Sequence, residues 1–211
     1  MPSRAVNTDA RARGFARAAV AALVFLFIPS LVCGQEMRTE AMFAQWRVSN
    51  QADVDLFADY LQAQSLSGVI ALHQLLRSAS SWRQCKTEPF SVPPQEQWGE
   101  VVSVLRLVKE LVARGAIGPF EVHSAHRNAE LNKCAGGAAG SAHLRTFAVD
   151  LVPLDDNDPS ASLCRFWTEH GHSWNMGLGR YPSGRIHIDT SGYRTWGADQ
   201  TGKSAYCTSA A

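Results

Sequence analysis

The chain has 211 residues, 45% of them hydrophobic and 18% charged, which is enough apolar side chain for a buried core and argues against disorder. Its formal net charge of +1 is unevenly placed. Arg4, Arg11, Arg13 and Arg17 against Asp9 put +3 in the first 34 residues, and the remainder carries 16 basic and 18 acidic residues, a net −2. A body so near neutrality offers no basic footprint for nucleic acid, and that class of partner is set aside.

The arginine-bearing start leads into an apolar run at 18–31, the length of a signal-peptide core and shorter than the roughly 20 residues that span a bilayer. Val32 and Gly34 supply small residues for cleavage after Gly34. Residues 1–34 are therefore expected to be an export signal, with the periplasm or cell envelope as destination; only a retained signal would tie the chain to a membrane. A lipidated Cys33 is the weaker alternative, because Val32 fits poorly before a modified cysteine. Without Cys33 the chain keeps Cys85, Cys134, Cys164 and Cys207, an even number that predicts two disulfides in an oxidising compartment, with three pairings open. No pair has C-x-x-C spacing, so these cysteines are not read as metal ligands.

Residues 35–50 read as a lead-in helix or loose segment. Helical spacing follows at Val54, Phe57, Tyr60 and Leu61, then at Leu66, Val69, Ile70, His73 and Leu76, with a break at 65–68. These make a helical segment at 35–92 ahead of the main domain at 93–211; His73 is read as packing or surface. Pro93-Pro94 opens the clearest helix, whose stripe is Trp98, Val101, Leu105, Val108, Leu111 and Val112, and Gly115 ends it. A strand at 120–124 precedes a short helical piece at 129–133. The loop at 135–140 holds three glycines and lacks the lysine of a phosphate loop; it suits the wall of a site. From 141 the chain crosses into a strand on which Phe147, Val149 and Leu151 face one way and Ala148 and Asp150 the other. Residues 155–159 lack the ligand spacing of a calcium loop and read as a turn that caps a helix at 160–170. A glycine- and proline-rich connection at 177–184 leads to a last strand at 185–189. There Ile186 and Ile188 face the core, and Arg185, His187 and Asp189 face away. The fold class expected is α+β: a small antiparallel sheet bearing a metal site, with helices packed on one side.

Two imidazoles and a carboxylate, His143, Asp150 and His187, form a donor set suited to a catalytic zinc ion, with a fourth position for water. Ser141, His143, Ala148 and Asp150, followed by His187 and Asp189 on a strand, resemble the S-x-H-x-x-G-x-A-x-D and H-x-D patterns of the zinc D-Ala-D-Ala carboxypeptidases and murein endopeptidases, whose fold hedgehog signalling domains share. Ser124-Ala125-His126-Arg127-Asn128 with Leu131-Asn132 is similar to that family's S-G-Y-R-S-x-x-x-N segment, and 184–190 with 194–196 is similar to its exported branch. The resemblance covers roughly residues 95–197. It implies that His143, Asp150 and His187 bind Zn2+ and that Arg127 engages a substrate carboxylate or the developing oxyanion. It further implies an exported zinc metallopeptidase acting on peptidoglycan stems or cross-links as an endopeptidase. A D-Ala-D-Ala carboxypeptidase or a non-catalytic zinc- or peptidoglycan-binding module is the alternative.

Two positions depart from the family pattern. Thr146 replaces a glycine, and Gly184 stands where many relatives carry a carboxylate three residues before the second histidine. Asp189 is then the first candidate for the base or for orienting the zinc water, with support of His187 or of Arg185 as its other reading. His126, His170 and His172 are lesser candidates and read mainly as surface or loop residues. Ser141 reads as a structural hydroxyl. The bond cleaved and the oligomeric state stay open.

Overall fold

The computed structural model describes Met1 and residues 28–207. The arginine-bearing start and most of the apolar run of the expected export signal lie outside the described residues. No helix among the described residues is long and apolar enough to cross a membrane.

The lead-in segment is helical: α1 spans Ile28–Ser49 and α2 spans Gln51–Ala63. Apolar spacing on α2 buries Val54, Phe57 and Leu61, and the Phe57 and Tyr60 rings meet Trp98 at 5.3 and 5.0 Å. Phe43 and Trp46 of α1 pack on Phe90, with ring centroids 5.1 and 5.5 Å away. From residue 38 onward the helical segment therefore shares the core of the main domain. The second apolar set is helical only over α3 (Leu72–Leu75). Ser65 and Gly68 take φ of 56° and 80°, the left-handed region that halts a helix, so Leu66 and Ile70 reach the core from turns.

A 3-10 turn at Gln95–Gln97 follows the two prolines and runs into α4 (Trp98–Ala113), which Gly115 ends at φ 65°. The buried face of α4 is wider than the stripe, taking in Val102, Val104 and Leu107, whereas Val112 is 49% exposed. The helix is covered by α2 as well as by the sheet, so a broader arc is removed from water.

Five strands form the sheet: β1 (Phe120–Ser124), β2 (Ala148–Pro153), β3 (Gly177–Arg180), β4 (Ile186–Asp189) and β5 (Arg194–Trp196). Their order is β1-β2-β4-β3-β5, antiparallel except for the parallel pair β3–β5. The α+β expectation holds. Two strands, β3 and β5, lie where a connection and a tail were expected. Val149, Leu151, Leu178, Ile186 and Ile188 project into the core, and α4 lies against β2. The alternate residues of the same strands make the opposite face. Among the described residues three further α-helices, α5 (Ala129–Cys134), α6 (Ala142–Arg145) and α7 (Ser160–His170), and a 3-10 turn at Gly202–Ser204 accompany the sheet. Asp158 receives hydrogen bonds from Ser160 at the start of α7 and from Arg180, the turn role expected of 155–159.

The disulfides are Cys85–Cys134 and Cys164–Cys207, closing 49 and 43 residues of sequence. Loops of that length correspond to about 4 kcal/mol each in the chain-entropy account. Replacing Cys164 and Cys207 by serine is expected to lower unfolding stability by about 2–5 kcal/mol in chemical denaturation. The bridge ties α7 to the segment after β5, so β5 should lose amide-exchange protection first.

Candidate metal centre

Two rows of residues crossing the sheet on the face opposite the apolar core build the site. Strand register aligns Ser124, Asp150, His187, Gly179 and Trp196 in the first row, and Ala148, Asp189, Gly177 and Arg194 in the second. His143 joins from outside the sheet. It sits on the single turn α6, which is stitched to the β1 end where Arg127 N–H donates to the His143 carbonyl at 2.8 Å.

The three expected ligands converge. Asp150 Oδ1 lies 3.0 Å from both His143 Nε2 and His187 Nδ1, and those nitrogens are 3.2 Å apart. Ligands about 2.0–2.1 Å from a tetrahedral zinc ion are separated by about 3.3 Å, so these three atoms occupy three corners of such a site. Outer partners set both tautomers. His143 Nδ1 donates to the Ala125 carbonyl at 2.6 Å, and His187 Nε2 donates to Asp189 Oδ2 at 2.8 Å. Each ring thus turns a lone pair toward Asp150 Oδ1. Three acceptors in contact, all buried, call for a cation between them. The donor set fits zinc.

The contacts among the three side chains also shift their pKa values. Burial would raise Asp150, but His143 and His187 hold its carboxyl well below the usual carboxylate range. Burial pushes His143 down to about 4, against the pull of Asp150. Burial opposes charge on His187 too, yet its bonds to Asp150 and Asp189 prevail and push it up to about 8.

Arg127 is 8% exposed and anchors the other side of Asp150: Nη2 donates to Oδ2 at 2.7 Å and Nε to Ser124 Oγ at 2.9 Å. Asp189 lies behind His187, fully buried, with both oxygens engaged. Oδ1 accepts from Ser191 N and Arg194 Nη1, and Oδ2 from His187 Nε2 and Arg194 Nη2. Ser141 stands at the start of α6 on the rim of the cleft. His126, read as surface or loop, is buried beside Ser91 Oγ at 3.1 Å, and burial together with nearby His143 pushes it down to about 4. His170 contacts Arg114, and His172 meets Tyr193; neither belongs to the ligand group.

Sequence reasoning did not single out Tyr181, Gly177 or Gly179. The Tyr181 hydroxyl lies beside the Asp150 carboxylate and the Arg127 guanidinium, and burial raises its pKa, so it stays protonated. The two glycines make room. A Cβ at Gly179 would strike the Trp196 ring, which reaches across β3 to lie 5.2 Å from the His187 ring; one at Gly177 would strike the Asp189 carboxylate and Arg194. Period-two alternation of glycine with Leu178 was the available signal for a strand here. Gly177→Ala is expected to cost about 1–3 kcal/mol by overpacking. Because it displaces Asp189 from His187, it should also weaken metal affinity about 10–100-fold, read by chelator competition.

The centre opens to solvent through a cleft of about 610 Å³ walled by the glycine loop at 136–140, Tyr181, Arg185 and Trp196. The two histidines and one carboxylate, buried behind the cleft that His187 lines, form a donor set that could hold one metal ion. The chain matches the model of the family Peptidase M15 over residues 71–189, more than half its length, and it belongs to that family. No curated protein and no solved structure matches it.

Proposed function

We propose that this chain is a zinc-dependent peptidase, exported by way of residues 1–34, that hydrolyses peptide bonds in peptidoglycan stems or cross-links. The observation that carries the reading is the convergence of His143 Nε2, Asp150 Oδ1 and His187 Nδ1 at the floor of an open cleft in a member of the peptidase M15 family. Zinc held by these atoms would supply a Lewis acid and a water of lowered pKa.

The chain's own residues divide the remaining work. Arg127 holds Asp150 and lines the cleft with its N–H groups, and Tyr181 adds a hydroxyl donor beside it. Both donors suit negative charge that develops on a carbonyl oxygen. Asp189, with both oxygens taken, acts as a positioning residue for His187 in place of a base. Gly184 sits in a turn at φ 83° and brings no carboxylate; among the described residues none of the cleft-lining residues is Asp or Glu.

Metal analysis of the mature protein combined with product analysis on cross-linked muropeptides tests the reading. One zinc per chain with dimers converted to monomers supports an endopeptidase. Release of terminal D-alanine alone identifies a carboxypeptidase, and zinc without products a binding module. A folded chain that takes up no metal would sink the proposal.

A further inference from the structure

Three arginines line the cleft, and their partners differ. Arg127 is committed to Asp150, and Arg194 to Asp189. Among the described residues Arg185 has no carboxylate within 4.0 Å; its contacts are Ser183 Oγ from Nε at 3.1 Å, Ser80 Oγ from Nη1 at 3.3 Å, and the Tyr181 ring 5.2 Å below its guanidinium. Glu121 on β1 is held by Arg77 at 2.6 Å, so it does not neutralise Arg185. Two hydroxyls and an aromatic face thus hold the guanidinium in place and leave its charge uncompensated. Stacking on Tyr181 shields one face from water and strengthens whatever hydrogen bonds the fork makes. With Asp150 and Asp189 each balanced by its own arginine, the surplus positive charge of the cleft wall is that of Arg185.

Its position relative to the metal centre is fixed by the strand. Arg185 directly precedes β4, and the bond from Tyr181 N to the Arg185 carbonyl extends the β3–β4 ladder by one step. It therefore lies two residues from His187 on the same face, about 6.6–6.8 Å along the strand. Extended peptide advances about 3.3–3.6 Å per residue, so that interval spans one to two substrate residues. A planar guanidinium matches a carboxylate through two parallel hydrogen bonds.

We infer that Arg185, seated on Tyr181 and Ser80, forms a carboxylate subsite that selects peptides bearing a free carboxylate one to two residues from the scissile bond. The inference rests on the peptidase reading of the same cleft and names its substrate class. The carboxylate is either the C-terminus of the peptide or the side-chain carboxylate of a diamino acid in the stem. Arg127, which the family resemblance puts on a substrate carboxylate or the developing oxyanion, is already bound to Asp150.

The test uses one muropeptide in four forms, with the C-terminal and diamino-acid carboxylates free or amidated singly and together. Binding to the zinc-loaded protein and cleavage are both measured. Wild type is expected to favour the free acid at least about tenfold over the form amidated at the recognised group, the size of one charge-assisted contact. In Arg185→Ala that ratio falls to within about twofold, through Kd and KM, and Arg185→Lys lies between, a point charge without the fork. Metal content and melting temperature report folding; if the alanine variant fails to fold, Arg185→Gln carries the comparison. The form that loses affinity tells the C-terminal from the side-chain source. An acid/amide ratio unchanged by Arg185→Ala, or no preference in wild type, overturns the subsite while leaving the peptidase reading intact. Acid-selective binding that depends on Arg185 without any cleavage upholds the subsite and removes the peptidase reading.

Discussion

Replacing Asp150 by alanine is expected to abolish metal binding and also to destabilise the metal-free protein, because one carboxylate serves two buried structures. Its Oδ1 faces both imidazoles and its Oδ2 receives Arg127 Nη2 at 2.7 Å. The residue is fully buried and Arg127 is 8% exposed. Alanine would leave a buried guanidinium with only the Ser124 and Tyr181 hydroxyls beside it and no carboxylate, and removing one member of a buried pair costs about 3–5 kcal/mol. Chemical denaturation of the metal-free variant should show that loss, and metal analysis should read no bound zinc. Asp150→Asn separates the two effects. Its amide oxygen can still accept from Arg127, so much of the stability returns, while the charge that attracts the cation is gone. Equal metal content in wild type and Asp150→Ala would refute the assigned ligand set.

The same carboxylate shows why the site was legible from the chain. Ligands contributed by β2 and β4 fall on one face by the two-residue period, so Asp150 and His187 were placed correctly from the alternation of Val149, Leu151, Ile186 and Ile188. His143 was expected where the chain crosses from a loop into a strand and stands on a helical turn. Its seven-residue spacing from Asp150 does not encode that difference; the hydrogen bond from Arg127 N to its carbonyl does. Register was the hidden quantity. Gly177 and Gly179 read as connection residues because glycine is a poor strand former, yet here they are strand positions left open so that Arg194 and Trp196 can reach across β3. Nothing local in 177–184 announces which distant side chains will occupy that space. His126 was misplaced for a related reason: a polar residue in a motif-bearing segment reads as exposed until the fold wraps Ser91 over it.

Asp189→Asn is expected to impair the metal centre more than Asp189→Ala, reversing the usual ranking of a conservative change against a truncation. In wild type every group around Asp189 donates: Ser191 N and Oγ and Arg194 Nη1 to Oδ1, and His187 Nε2 and Arg194 Nη2 to Oδ2. An asparagine amide has one accepting atom for these two clusters. With its oxygen toward Ser191, its NH2 group faces His187 Nε2 and favours the tautomer that carries the proton on Nδ1, the atom that must bind the metal. With the amide reversed, NH2 opposes the Ser191 N–H. Alanine imposes no tautomer, and Arg194, whose side chain is 40% exposed, can turn to solvent. Loss of such an orienting carboxylate typically lowers metal affinity about 10–100-fold. Asparagine should reach the upper end of that range and alanine the lower, both read by chelator competition at one pH. Nitrogen-15 shifts of the neutral His187 ring, read above about pH 8, provide an independent readout, with the Nδ1–H tautomer populated in Asp189→Asn and the Nε2–H tautomer in wild type. An asparagine variant that binds metal as tightly as wild type, or more tightly than the alanine variant, would mean that Asp189 does not govern the His187 tautomer.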